Sequence, residues 1–177
     1  MKLIFLDIDG VLNSVTWARL YGFGDTPRIK DVRYKKDKAK YYAEKAKLNP
    51  SSVNLLNDLC KQTKAKVVIS STWRLTSGIF IGDRLEYWNE MFHYICQELS
   101  KKCHIDVIGI TPFLDTERSL EIDKFIKDFK DEKIEEFVII DDTDDGISDL
   151  FYHEFIHVSD DYGFGTPDFV ECLRVLK

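Results

Sequence analysis

The chain has 177 residues and a formal net charge of -6 at pH 7, and its 44% hydrophobic and 32% charged content is ordinary for a globular protein. This length predicts one domain with a substantial core. No apolar stretch is long enough to span a membrane, and acids interrupt the N-terminal apolar run too early for a signal peptide. The four cysteines are far apart and lack a CxxC pattern, which is typical of reduced thiols in a cytoplasmic protein.

The chain opens with a short apolar strand, predicted over residues 3–6, that leads directly into Asp7, Asp9 and Gly10. Because alternate residues of a strand share a face, we expect both carboxylates on the same side, at the carboxyl end of the strand. Two carboxylates at close range repel each other and lose hydration, and a divalent cation with oxygen ligands would compensate for both effects. The pattern therefore predicts half of a magnesium site.

Short apolar strands alternate with helical patterns along the rest of the chain. The further strands are predicted at residues 66–70, 106–109, 137–140 and, more weakly, 154–158. The helices are predicted at residues 50–60, 84–99, 117–129 and 167–176. This alternation predicts an α/β fold with a doubly wound, Rossmann-like parallel sheet, in which ligands bind beyond the carboxyl ends of the strands.

Residues 14–49 fit the alternation poorly, so we interpret them as a small cap-like insertion after strand 1 of a single domain spanning residues 1–177. Within it, residues 28–47 hold nine basic and three acidic side chains, so this segment carries +6 and the rest of the chain -12. Tyr34, Tyr41 and Tyr42 could stack on bases. The segment suggests an anionic partner, and a solvated helical face is the ordinary alternative.

Hydroxyl groups and a cation are predicted near the same sheet edge. Ser70 and Ser71 follow the second strand, where their hydroxyls can donate to phosphate oxygens, although such residues also occur in ordinary turns and caps. Arg118 opens the helix before the fourth strand, where a cation would neutralise phosphate charge, and Lys124 on the same helix is the alternative.

An acidic run follows the fourth strand. Asp141 is its first member and is expected nearest to Asp7, with Asp142 next to it. Asp144 and Asp145, further along the run, are typical of loop or helix-cap acids.

In this order, the DxDG sequence at residues 7–10, the serines, the arginine and the Asp141–Asp142 pair resemble the haloacid dehalogenase (HAD) superfamily of phosphohydrolases over nearly the whole chain. The arginine departs from the lysine that is commoner in that superfamily. Finer motifs resemble the small HAD domains of predicted RNA-repair and phage-type proteins. They are ISSTWR at residues 69–74, VIGITP at 107–112, RSLEI at 118–122 and YGFGT at 162–166.

The resemblance implies a nucleophile, an acid–base group and a metal site. Asp7 would attack phosphorus and form an aspartyl-phosphate, and Asp9 would protonate the leaving group and then deprotonate water. Mg²⁺ would be held by Asp7, the backbone carbonyl of Asp9 and the acids Asp141 and Asp142. Either of the two serines, with the arginine, would hold the non-bridging phosphate oxygens.

These inferences predict a Mg²⁺-dependent HAD-type phosphomonoesterase, whose substrate is a nucleotide (as for a nucleotidase) or the terminal phosphate of a nucleic acid, with small sugar phosphates left open. One alternative is a receiver-like phosphoacceptor signalling domain. The acid two residues beyond the nucleophile argues against it, since that acid lets the intermediate turn over. A non-catalytic nucleic-acid-binding module with a vestigial HAD site is the other alternative.

Overall fold

The computed structural model describes residues 1–20, 48–72, 99 and 105–177. Within these residues, five strands form one sheet in the order β3-β2-β1-β4-β5, and every neighbouring pair is parallel. The strands are β1 (Lys2–Leu6), β2 (Lys66–Ile69), β3 (Val107–Ile110), β4 (Glu136–Asp141) and β5 (Phe155–His157). The helices are α1 (Val15–Leu20), α2 (Pro50–Thr63), α3 (Arg118–Asp128), α4 (Ile147–Phe151) and α5 (Thr166–Val175).

The side chains of β1 alternate between two apolar layers, one on each face of the sheet. Leu3 and Phe5 pack with Ile122 of α3, and the ring of Phe5 meets that of Phe125 edge to face, with centroids 5.6 Å apart. Ile4 and Leu6 belong to the opposite layer, which includes residues of α2 and α5. Each of these fully buried apolar side chains stabilises the fold by roughly 1.5–3 kcal/mol. Helices therefore cover both faces, which confirms the predicted doubly wound α/β fold.

The predicted elements that fall on described residues agree with the structure to within a few residues, and the structure adds two short helices. Helices α1 and α4, with six and five residues, were not predicted because they are too short to show an apolar period. The helix predicted at 84–99 lies outside the described residues except for Leu99, which is helical and fully buried.

Helix α2 begins beside the carboxyl end of β1. Pro50 occupies the first turn, where its missing N–H costs nothing, and Asn49 Oδ1 accepts a hydrogen bond from the Ser51 N–H at 3.0 Å. The Asn49 N–H in turn donates to the Leu12 carbonyl at 2.8 Å. The segments on either side of residues 21–47, which lie outside the described residues, are thus joined near the same sheet edge. The insertion at residues 14–49, whose first part includes α1, stays a prediction.

Candidate active site

Asp7 lies directly beyond the central strand of the sheet. Its N–H donates to the Ile140 carbonyl at 3.0 Å, which extends the pairing of β1 with β4 by one residue. The Ser70 N–H likewise donates to the Leu6 carbonyl at 2.8 Å on the β2 side. Carboxyl ends of parallel strands meet at one edge, so residues that follow β2 and β4 flank Asp7. The side chain of Asp7 is buried, with the residue 5% exposed.

Three carboxylates converge at this edge. Asp7, Asp141 and Asp142 each offer an oxygen, and these oxygens lie within 4.8 Å of one another. Of the described residues, Arg118 is the one cation in contact with them: its Nη1 donates to Asp7 Oδ1 at 2.9 Å and also to Asp141 Oδ2. If all groups are ionised, three negative charges face one positive charge in a largely buried space.

The pKa values of the three acids are raised, as expected for negative charges that are buried together. Burial, reinforced by the charge of Asp141, raises the pKa of Asp7 from 3.8 to about 7, against the opposing effects of Arg118 and a hydrogen bond from Ser71. Burial also raises the pKa of Asp141 to about 6 although Arg118 lowers it, and it raises the pKa of the half-buried Asp142. One guanidinium does not compensate for the burial of these acids, so the cluster favours a further cation.

Arg118 reaches the acids because it is the first residue of α3. Its backbone N–H donates to Asp145 Oδ2 at 3.0 Å, which fixes the start of the helix against the loop after β4. Burial alone would lower the pKa of Arg118, but the charges of Asp7 and Asp141 raise it, so the guanidinium stays charged. Lys124, the alternative cation, is instead half exposed and pairs with Asp128 at 2.7 Å.

The two serines occupy different environments. Ser71 is fully buried and donates to the Asp7 carboxylate. Ser70 is also buried, and its hydroxyl lies 3.4 Å from Thr111 Oγ1. Of the two serines, Ser71 is therefore the one whose hydroxyl contacts the Asp7 carboxylate. Thr111 was not predicted as a neighbour of the site, although it follows β3 just as Ser70 follows β2.

Asp9 lies in a different environment from Asp7, although the sequence predicted both carboxylates on the same side of the strand. Strand β1 ends at Leu6, and the chain then turns, with the Leu12 N–H donating to the Ile8 carbonyl at 2.8 Å. Asp9 is therefore exposed while Asp7 is buried, and it is not part of the carboxylate cluster. It remains close enough for its charge to contribute to the raised pKa of Asp142.

Gly10 lets the turn after β1 approach the loop after β4. It has φ +75°, a conformation that strains other residues. A Cβ atom at this position would overlap the carboxylate of Asp142. The glycine of the DxDG motif therefore leaves the space that Asp142 occupies.

The last two acids of the run after β4 are caps, as expected. Asp144 accepts hydrogen bonds from the backbone N–H of Ser148 at 2.8 Å and from its hydroxyl at 2.6 Å, at the start of α4. Asp145 caps α3 through the backbone N–H of Arg118. The first two acids, Asp141 and Asp142, belong to the carboxylate cluster.

The late YGFGT motif and the residues just before it contact the segment that follows DxDG. The Phe164 N–H donates to the Val11 carbonyl at 2.8 Å, and the Val15 N–H donates to the Asp160 carbonyl at the same distance. Gly163 has φ +74°, and a Cβ there would lie 2.7 Å from the Val11 carbonyl oxygen. The motif thus holds the turn on which Asp9 lies.

Three further expectations concern other parts of the chain. The basic segment at residues 28–47, with its three tyrosines, lies outside the described residues. Of the cysteines, Cys60 and Cys172 are buried and free, and burial raises the pKa of Cys60 to about 12. Among the described residues, no helix has the length and apolar character needed to cross a bilayer.

The five-stranded parallel sheet, with acids beyond its central strand and the neighbouring β4, is the arrangement expected of a HAD-type domain. The sequence matches, over residues 3–169, the family described as the HAD domain in Swiss Army Knife RNA repair proteins. The chain belongs to this family, which confirms the resemblance inferred from its motifs. Comparison with curated proteins and with solved structures gave no match.

Proposed function

We propose that this HAD domain is a Mg²⁺-dependent phosphomonoesterase that acts on a nucleotide or on the terminal phosphate of a nucleic acid. One observation carries the proposal: the buried Asp7 lies beyond the central strand, in contact with Arg118 and Ser71 and beside two further acids. Arg118 and Ser71 orient the Asp7 carboxylate and favour its ionised form, which is the form that attacks phosphorus. The description of the family as part of RNA repair proteins favours a nucleic-acid end as the substrate.

The carboxylate cluster fits Mg²⁺. This cation prefers oxygen ligands and one or two carboxylates together with substrate oxygens and water. Asp7, Asp141 and Asp142 present their oxygens close together, and burial raises their pKa values in spite of Arg118, so a further cation would favour their ionised forms. The backbone carbonyl of Asp9 is the further ligand that the resemblance implies. When bound, the cation would stabilise the charge on the transferred phosphoryl group.

The chain's own residues account for both steps of the hydrolysis. The Asp7 carboxylate attacks phosphorus and forms an aspartyl-phosphate, while the bond to the leaving oxygen breaks and that oxygen takes a proton from Asp9. Asp9 then removes a proton from a water molecule that attacks the same phosphorus, which releases phosphate and restores Asp7. When phosphate is bound, Arg118 and Ser71 donate to its non-bridging oxygens and give up part of their contact with Asp7. The exposure of Asp9 suits a group that serves a leaving group and a water at the solvent side.

Two substitutions test this mechanism. Asp7→Asn should abolish release of phosphate from p-nitrophenyl phosphate and from 3′- and 5′-phosphorylated oligoribonucleotides in the presence of Mg²⁺. With p-nitrophenyl phosphate, whose leaving group needs no proton, Asp9→Asn should slow only the second step, so that intact-mass spectrometry detects protein carrying one phosphoryl group. Asp149→Asn, an exposed acid on α4, is the matched control and should behave as the wild type. Substantial turnover by the Asp7 variant would contradict covalent catalysis, and a long-lived phosphoprotein in the wild type would favour a phosphoacceptor domain.

The substrate class requires a separate experiment. Charge reversal of Lys35, Lys36, Lys38 and Lys40 should raise KM for phosphorylated oligonucleotides far more than for p-nitrophenyl phosphate, because only the longer substrate has a backbone to contact. The wild-type KM for oligonucleotides should also rise with salt concentration. An equal effect on both substrates would remove the case for a nucleic-acid partner and favour a small sugar phosphate or a mononucleotide.

A further inference from the structure

His157, the last residue of β5, makes a side-chain contact with the acidic run after β4. Its Nε2 lies 2.9 Å from the backbone carbonyl oxygen of Asp142. A carbonyl can only accept, so Nε2 carries a proton and donates it. The imidazole ring also stacks on Phe155, with ring centroids 5.3 Å apart and planes 22° apart. The donor is thus held in place by its neighbour on the same strand.

The contact lies where the pairing of the two strands ends. Asp141 is aligned with His157 in the β4–β5 pairing, and the Val158 N–H donates to the Asp141 carbonyl at 2.9 Å. Among the described backbone hydrogen bonds between these strands and their extensions, this is the last one toward the site. The imidazole of His157 therefore extends the hydrogen bonding between β5 and the chain after β4 by one residue, to Asp142.

Asp142 is consequently held from two sides. Its carbonyl accepts from His157, and its carboxylate lies against Gly10, where no Cβ could be accommodated. A peptide group fixed at its carbonyl restricts the directions in which its own side chain can point. This matters for a site that must bring oxygens from separate loops together.

We propose that His157 is a positioning residue, which holds the Asp142 peptide so that the Asp142 carboxylate faces Asp7 and Asp141. This inference rests on the proposed function, in which those three acids hold a divalent cation. His157 itself touches neither the substrate nor the cation in this arrangement. Because this hydrogen bond already restricts the Asp142 peptide, Asp142 loses less conformational entropy when a cation binds.

Two variants separate the hydrogen bond from the ring. His157→Phe keeps an aromatic ring to stack on Phe155 but has no donor, whereas His157→Gln keeps an N–H donor of similar reach and loses the ring. His153→Phe, at an exposed histidine whose ring contacts Tyr152, is the matched control. Thermal unfolding of each metal-free variant checks that the fold is intact.

The readout is the affinity of the substrate-free protein for Mg²⁺, measured by titration calorimetry. His157→Phe should weaken binding by about tenfold, the lower end of the range for residues that support metal ligands indirectly. His157→Gln should recover most of that loss, and the control should match the wild type. Wild-type affinity in the phenylalanine variant would overturn the inference, and so would equally weak binding by the glutamine variant.

Asp142→Asn distinguishes failure of this inference from failure of the proposed function. If that variant binds Mg²⁺ weakly while His157→Phe binds normally, the proposed cation site stands and only the role of His157 is overturned. If Asp142→Asn binds like the wild type, or if the wild type shows no saturable binding, the cation site of the proposed function is wrong and the inference falls with it.

Discussion

Replacing Arg118 with methionine should destabilise the metal-free protein, and the loss should grow as the pH rises. Arg118 Nη1 contacts both Asp7 and Asp141, all three side chains are buried, and methionine fills similar space without charge. Removing one partner of a buried ion pair is costly because the remaining charge is uncompensated. Here the remaining groups are two acids, which become neutral when they take up protons. The loss of stability therefore depends on pH.

The sign follows from the raised pKa values. In the folded protein the pKa of Asp7 is about 7 and that of Asp141 about 6, above their usual 3.8. The folded state thus binds protons more tightly than the unfolded state, so these groups lower the free energy of unfolding as the pH rises from about 4 to about 7. Without Arg118, which lowers both values, the acids hold their protons to higher pH, and the folded variant binds more protons than the folded wild type.

The raised pKa values of Asp7 and Asp141 give the order of magnitude of the pH-dependent part of the loss. Each pH unit over which the variant retains a proton that the wild type has lost contributes about 1.4 kcal/mol. Near pH 8 that is roughly one unit for Asp7 and two for Asp141, which gives on the order of 4 kcal/mol more destabilisation near pH 8 than near pH 5. Near pH 5 the acids are largely protonated in both proteins, and only lost packing and hydrogen bonds remain, about 1 kcal/mol.

Urea unfolding in the presence of a chelator, near pH 5 and near pH 8, measures this difference. Arg174→Met is the matched control, since Arg174 is exposed and pairs with Glu171 on the surface of α5, and it should change stability little at either pH. Arg118→Lys retains the charge and should lie between the wild type and the methionine variant. An equal loss at both pH values would refute the reasoning, because the effect would then come from packing and not from the charges of the acids.

Three other substitutions test individual contacts. Gly10→Ala should lower the free energy of unfolding by about 1 kcal/mol or more, because the φ at this position is strained for alanine. It should also weaken Mg²⁺ binding, because the alanine Cβ would displace the Asp142 carboxylate. Unchanged Mg²⁺ affinity in a calorimetric titration would contradict this packing. Asp145→Ala should cost about 1 kcal/mol in thermal unfolding, because it removes the acceptor for the first N–H of α3, and wild-type stability would show that this cap is dispensable. Asp7→Asn should stabilise the metal-free protein near pH 8, because it removes a buried charge that forms only at that higher pH. Near pH 4 the same substitution should have little effect. A loss of stability near pH 8 would argue against the raised pKa of Asp7.

Much of the fold was predictable because its signals are local. The strands are short apolar runs that end abruptly in polar residues, and α2 begins with an Asn–Pro pair that caps and starts a helix. A parallel sheet brings the ends of its strands to one edge, so placing Asp7 near residues that follow β2 and β4 required only the correct assignment of strands. The family match agrees with the interpretation that this order of motifs supported.

Other features depend on contacts between distant segments, and no local pattern reports them. Arg118 and Lys124 lie on the same helix with similar chemistry, and only the packing of α3 directs one to Asp7 and the other to Asp128. The turn after Leu6 exposes Asp9, where a continued strand would have kept it on the side of Asp7.

The sequence by itself determined the class of fold, the order of the strand ends and the residue types available at each, because hydrophobic periodicity and turn residues act over a few neighbouring positions. Only the tertiary structure decided which hydroxyl contacts Asp7, which cation reaches it, and that the His157 imidazole donates to the Asp142 carbonyl. Those choices are made by side-chain directions across strands and helices far apart in the chain. For the two serines, a difference of one residue in where β2 ends is enough to exchange which of them faces Asp7.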